Sequence, residues 1–237
     1  SLPVCPTSDA RTWLVGRPPP TGIFEVPDFL TKPEAMEILN LCEERMGLAL
    51  DSQGKRRDGW EFDNLRFDPR CVLPWLEERV SLLCGGLDFD CVTDATALHY
   101  WAGSRGIPEH ADHTHQTFYE ESGRVMTMFI YLSDTTGDTG GTSFADLGLV
   151  AQPAFGKLVC FFPGALNGAY DLRLAHSGLA TQDEKWLLRF FFHEKPLFTA
   201  ANPFHEFDAD GYAVRQIDQY DHECGRGAYS SGFSSES

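Results

Sequence analysis

The sequence predicts an α+β chain that is mainly β, in which two amphipathic helices lead into an all-β core of at least six or seven strands, a composition suited to a double-sheet jelly roll. Three observations predict it. Before residue 86 apolar positions twice recur at helical spacing behind a helix-start signal. After it, short β-branched and aromatic stretches alternate with clusters of Gly, Pro, Asp and Thr. Finally, 237 residues that are 42% hydrophobic and include 18 Phe can bury one sizeable core.

The elements follow in order. Residues 1–22 carry Pro3, Pro6, Pro18, Pro19 and Pro20 with little periodicity, and read as an extended lead-in to a domain spanning 23–204. Residues 23–30 alternate well enough for a short strand. At Thr31-Lys-Pro-Glu34 a capping box coincides with Pro in the first turn, and Ala35, Ile38, Leu39, Cys42 and Met46 follow at helical spacing, which predicts a helix over about 32–46. The polar segment 51–64 holds Lys55, Arg56 and Arg57, the densest basic cluster, with Gly54 and Gly59, and reads as a loop or hairpin. Asp68-Pro69 opens a second helix by the same logic, with Val72, Trp75, Leu76, Val80 and Leu83 on one face until Gly85-Gly86 stops it. Strands are then expected over 89–101, 125–132, 158–162, 172–175 and 186–193. Residues 205–237 hold seven acids against Arg215 and Arg226 and read as an acidic, partly disordered, Ser-rich tail.

Charge narrows the partners. With 19 Lys+Arg against 35 Asp+Glu the net charge is −16, spread over both halves, so there is no basic arm to neutralise phosphates. Nucleic acid is therefore an unfavourable partner; a basic peptide or a small molecule suits the field better. No apolar stretch reaches the roughly 20 residues of a membrane span, so the chain reads as a soluble domain, of the secretory-pathway lumen or the cytoplasm alike. The seven cysteines, at 5, 42, 71, 84, 91, 160 and 224, form no C-x-x-C pair, which argues against a zinc ribbon or a thioredoxin-like motif. Nothing in the sequence fixes the oligomeric state.

The chemistry concentrates around His110-Ala-Asp112. On a strand these two side chains project from one face and can reach one metal ion. The best third ligand is His176, and two imidazoles with one carboxylate form the facial triad suited to non-haem Fe(II), leaving positions open for a co-substrate and oxygen. His113 and His115 offer zinc as an alternative. The opposite strand parity of His110 and His113, and the lack of a nearby Cys, argue against it. Activating O2 for hydroxylation requires two further electrons, which a 2-oxoacid supplies by oxidative decarboxylation. Its distal carboxylate needs a buried cation, and Lys185 lies nine residues beyond His176, with Arg189 of the same parity in reserve.

Over about residues 23–195 the sequence resembles the prolyl 4-hydroxylase-like Fe(II)/2-oxoglutarate-dependent dioxygenases. Ile23-Phe-Glu-Val-Pro-Asp-Phe-Leu before a capped helix looks like that family's opening strand and first helix. Tyr100-x-x-Gly103 before His110-x-Asp112 is similar to its Y-x-x-G and H-x-D run, and Arg124-x-x-Thr127, Tyr131-Leu-Ser-Asp134 and Thr139-Gly-Gly-Thr-Ser-Phe144, with Thr139 in place of that family's first Gly, to its paired strands. Pro153-x-x-Gly156 and the His176 to Lys185-Trp186 spacing complete the series.

The resemblance implies a double-stranded β-helix with helices packed on the major sheet. It implies His110, Asp112 and His176 as iron ligands, Lys185 and the Tyr100 hydroxyl on the 2-oxoglutarate C5 carboxylate, and Thr142 lining that pocket. Fe(II), 2-oxoglutarate and O2 are the implied cofactors, with ascorbate as reductant. The implied reaction is prolyl 4-hydroxylation of a peptide or protein, releasing succinate and CO2. Arg124 and Trp60 would lie on the substrate side, with the segment between the helices folding over a peptide. Asp112 favours hydroxylation over halogenation, in which a small residue replaces the metal-binding acid. The competing expectations are the same cofactors acting on a free amino acid or small metabolite, and a non-catalytic jelly-roll binding module.

Overall fold

The computed structural model describes residues 11–15, 21–46, 62–68, 72–84, 92–112, 124–163, 170–193 and 209–210. Trp60, His113, His115, the basic cluster at 55–57 and nearly all of the C-terminal tail lie outside the described residues. Along the chain come β1 (Arg11–Val15), β2 (Thr21–Val26), α1 (Lys32–Met46), β3 (Phe62–Phe67), α2 (Pro74–Leu83) and β4 (Val92–Tyr100). They are followed by β5 (Ile107–His110), β6 (Arg124–Tyr131), β7 (Thr142–Phe144), β8 (Leu149–Ala151), β9 (Leu158–Phe161), β10 (His176–Gly178) and β11 (Lys185–His193). A seven-stranded sheet has the order β1-β2-β9-β6-β11-β4-β3, and a four-stranded sheet the order β5-β10-β7-β8. All these pairings are antiparallel.

The alternation of side chains along the large sheet builds two cores. On one face Ala95, Ala97, Met126, Met128, Ile130, Leu188, Phe190 and Phe192 meet Ala35, Ile38, Leu39 and Cys42 of α1 and Leu76 and Val80 of α2. On the other, Leu98, Tyr100, Phe129, Tyr131, Phe161 and Leu187 meet Ile107, Phe144 and Ala151 of the small sheet. The protein is thus mainly β, with two helices on one sheet. No helix among the described residues is long and apolar enough to cross a membrane.

The start of α1 follows its sequence signal. Both the main-chain N–H and the hydroxyl of Thr31 donate to Glu34 Oε2, at 2.9 and 2.8 Å. The same carboxylate accepts from the Arg79 guanidinium of α2, tying the helices together, and that bond above all holds Glu34 down at about 2.

Elsewhere the structure departs from expectation. The helical run signalled at Asp68-Pro69 is interrupted: Val72 N–H bonds to Asp68 O, but Leu73 turns to φ −136°, ψ 62°, and α2 begins at Pro74. A residue before proline is driven out of the α region, which explains the break. The strand expected over 172–175 is instead a 3-10 turn, Leu172–Leu174, because the Asp171 carboxylate accepts the Arg173 N–H and starts a turn; the strand begins at His176. Residues 11–15 of the expected lead-in pair with β2, and the end of the polar segment 51–64 enters β3, paired with β4.

Small-sheet geometry depends on a tight approach before β5. Gly106 has φ +83°, and a Cβ there would sit 1.9 Å from the Gly178 carbonyl of β10. Gly103 has the same φ but open space around it. Alanine at either position carries left-handed strain of about 1–2 kcal/mol. Urea unfolding should show Gly106→Ala destabilised beyond Gly103→Ala by at least about 1 kcal/mol, and equal midpoints would contradict the close docking of β5 on β10.

Candidate metal and carboxylate site

Antiparallel pairing of β5 with β10 makes His110 and His176 direct partners, so that their rings lie 4.5 Å apart between centroids. Each ring is held by the carbonyl two residues before it: His110 Nδ1 is 2.9 Å from Pro108 O, and His176 Nδ1 is 3.0 Å from Leu174 O. A carbonyl can only accept, so in each neutral ring the proton sits on Nδ1 and the Nε2 lone pair is available.

Both Nε2 atoms face Asp112, at 3.7 Å to Oδ1 from His110 and 3.6 Å to Oδ2 from His176. Asp112 lies just beyond β5 rather than on it, yet is buried. Thr127 of β6 donates to Asp112 Oδ2 at 2.7 Å, and Arg124 Nη1 reaches the Asp112 carbonyl at 3.3 Å. One ligand atom from each of His110, Asp112 and His176 falls within 4.8 Å of the others. Two imidazoles and a carboxylate so gathered could hold a divalent transition metal such as Fe(II).

Burial and the neighbouring His176 push the His110 imidazole down to about 4. Burial alone would raise Asp112, but His176, His110, Arg124 and Arg189 outweigh it and hold the carboxyl down at about 2. Rings of Phe161 and Phe144, 5.0 and 5.5 Å from His176, wall the cluster on its apolar side.

The same cleft, with about 440 Å³ of empty space counted out through its open mouth, contains a cation. Lys185 is completely buried, donates from Nζ to Gly140 O at 2.9 Å, and places Nζ 3.9 Å from the centre of the Tyr100 ring. Burial lowers its pKa to about 7. Among the described residues no carboxylate pairs with it. Tyr131 donates its hydroxyl to Ala151 O at 2.9 Å, so Thr142 Oγ1 is the donor in the 2.9 Å bond between Thr142 and Tyr131.

His110, Asp112, His176, Lys185, Tyr100 and Thr142 thus line one cleft, and Arg124 lies behind Asp112. Trp60 lies outside the described residues. Thr127, which grips Asp112, and Tyr131, which orients Thr142, stand in the motif series read from the sequence, but sequence reasoning gave neither a role. Their signal was present: period two along β6 puts Thr127, Phe129 and Tyr131 on one face.

No protein-family model matches the sequence, and no curated protein does. Solved structures do. A viral collagen prolyl hydroxylase from Paramecium Bursaria Chlorella virus-1, in its 2OG complex, matches with a TM-score of 0.59 at 16% identity, over 72% of this chain and 94% of that one. A prolyl hydroxylase of Trichoplax adhaerens, in complex with a peptide fragment of the hypoxia inducible factor oxygen degradation domain, gives 0.54 at 13% identity, over 72% and 82%. A Pseudomonas putida prolyl-4-hydroxylase gives 0.50 at 19%, over 74% and 94%. The chain shares its fold with prolyl hydroxylases.

The burial of Lys185 should be visible as a linkage. Unfolded, the lysine keeps its proton to about 10.5; folded, only to about 7. Between these values the unfolded state binds the extra proton, so stability of the ligand-free protein rises with pH through that window. Urea midpoints at about pH 7 and about pH 9.5 should diverge less in Lys185→Met than in wild type; identical pH slopes would mean Lys185 stays charged in the fold.

Proposed function

We propose that the chain is an Fe(II)/2-oxoglutarate-dependent dioxygenase that hydroxylates a C–H bond, built on a double-stranded β-helix core of which the two sheets are the halves. The observation that carries this reading is a single cleft lined by two complementary sets of groups. One set is two imidazole Nε2 atoms and a carboxylate, and the other a buried lysine without a carboxylate partner among the described residues. A metal and a dicarboxylic 2-oxoacid satisfy both sets at once.

When bound, the metal and 2-oxoglutarate supply the oxidation of a C–H bond by O2, with release of succinate and CO2. The protein prepares that chemistry. The Pro108 and Leu174 carbonyls keep the imidazoles in the tautomer that offers Nε2. Thr127 occupies one lone pair of Asp112 Oδ2, which leaves Oδ1 as the more accessible ligand atom. Lys185, with the Tyr100 and Thr142 hydroxyls nearby, neutralises the distal carboxylate, while Leu98, Phe129 and Leu187 exclude water along the cleft. Arg124 steadies the Asp112 main chain from behind. The finer reading is prolyl 4-hydroxylation of a peptide or protein; the sequence resemblance and the fold shared with prolyl hydroxylases support it.

Substitution separates these roles. His110→Ala and His176→Ala should abolish Fe(II)-dependent succinate formation while circular dichroism shows the fold retained, and wild-type turnover in either would remove that histidine from the ligand set. Thr127→Val should weaken metal affinity by about 10–100-fold, with Thr127→Ser close to wild type; metal titrations indifferent to both would make the Thr127 bond incidental. Because Lys185 must be protonated to hold an anion, 2-oxoglutarate affinity should be flat below about pH 7 and fall by up to about tenfold per pH unit above it. Affinity rising with pH would contradict the assignment.

A further inference from the structure

Lys185 is not the only cation in the cleft. Arg189 lies on the same face of β11, pairs in register with Phe129 of β6 and Thr96 of β4, and lines the cleft beside the histidine and aspartate cluster. Four residues of extended strand separate the two cations by about 13 Å along the backbone. Lys185 is completely buried, whereas Arg189 is only partly buried, and both line the cleft that holds His110, Asp112 and His176.

The guanidinium is held in place from below. Its Cζ lies 4.2 Å from the centre of the Phe191 ring, and Arg124 Cζ lies 3.9 Å from the same ring. Arg124 is anchored in turn on the Asp112 carbonyl. One buried ring therefore carries two guanidinium groups next to the cluster. Stacking on an aromatic ring suits guanidinium, which is planar and weakly hydrated. The charge of Arg189 is felt at Asp112, His110 and the Tyr100 hydroxyl alike.

A chain with a net charge of −16 here concentrates positive charge beside a carboxylate that the cluster already uses. Asp112 turns its oxygens to the imidazoles and to Thr127, while Arg124 takes its main-chain carbonyl. We propose that Arg189, stacked on Phe191 and backed by Arg124, is a second carboxylate-binding group of the cleft, receiving a ligand carboxylate beside the metal-ligand cluster. This deepens the function proposed above and rests on it. The carboxylate comes from one of two sources: the 2-oxoacid end of the co-substrate, or a primary substrate that carries a carboxylate next to the oxidised carbon. In the second case the substrate is a free acid or a C-terminal residue rather than a residue inside a chain.

Isothermal titration of the full chain loaded with Zn(II) tests this without turnover, using wild type, Arg189→Gln, Arg189→Lys and Lys185→Ala. The first arm titrates 2-oxoglutarate. The second titrates N-acetyl-L-proline and its amide, which lacks only the carboxylate, into protein saturated with 2-oxoglutarate. Loss of about tenfold or more in 2-oxoglutarate affinity in Arg189→Gln, partly restored in Arg189→Lys, assigns the site to the co-substrate. Unchanged 2-oxoglutarate binding, with a wild-type preference for the acid over the amide that Arg189→Gln erases, assigns it to the substrate. A folded Arg189→Gln protein that binds Zn(II) as wild type does and shows no Arg189-dependent carboxylate in either arm overturns the proposal. Failure of wild type to bind 2-oxoglutarate, or binding indifferent to Lys185→Ala, overturns the co-substrate reading instead; the second arm, run then without 2-oxoglutarate, still decides the role of Arg189.

Discussion

The candidate site depends on one backbone pairing. Where β5 meets β10, His110 and His176 become cross-strand partners, and residues so placed have Cβ atoms only about 4.5–5.5 Å apart. Nothing about either histidine alone would bring their Nε2 atoms together. The pairing does so, and carbonyls two residues earlier in the chain, Pro108 of β5 and Leu174 of the preceding 3-10 turn, then hold both rings in the same way. Asp112 closes the cluster from just past the end of β5, and the large sheet reaches across through Thr127 to hold it. The site is therefore also a joint between the two sheets, and within the small sheet Gly106 is the position where the backbone leading into β5 comes close to Gly178 of β10.

That joint gathers groups that resist burial. Lys185, Asp112 and Arg124 are all buried, and charge removed from water is destabilising unless it is paired or hydrogen-bonded. Asp112 is compensated by its neighbours, whereas Lys185 has a backbone carbonyl and the face of a ring. The stability to tolerate this comes from the opposite face of the large sheet, where two helices tied through Glu34 and Arg79 seal an apolar core. Such an imbalance is typical of sites tuned for a ligand rather than for the free protein. Despite the overall negative charge, two basic side chains, Lys185 and Arg189, line the cleft beside Asp112.

Much of this was legible in the sequence because the signals were local. The capping box marked α1 to the residue, and dense β-branched and aromatic runs marked β4, β6, β9 and β11. His110, Asp112, His176 and Lys185 stood out because chemistry demands those residue types and an ordered motif series framed them. The misses have physical causes. A strand of three residues such as β8 is too short to show a period, and β1 sits among prolines that argue against a strand. At Leu172–Leu174 an apolar run looked extended until the Asp171 side chain turned it. Thr127 stands in the sequence only as a motif position and acquires its role from the Asp112 carboxylate that the fold brings to it.

The central claim is that the histidine and aspartate cluster and Lys185 together bind a metal and a 2-oxoacid. The most direct test needs no substrate: anaerobic addition of Fe(II) and then 2-oxoglutarate to the purified protein, with Asp112→Ala beside it. A weak visible charge-transfer band that appears only with both additions in the wild type, and is diminished or lost in the variant, is the predicted result. A folded, iron-loaded wild-type protein that shows no band would contradict the account.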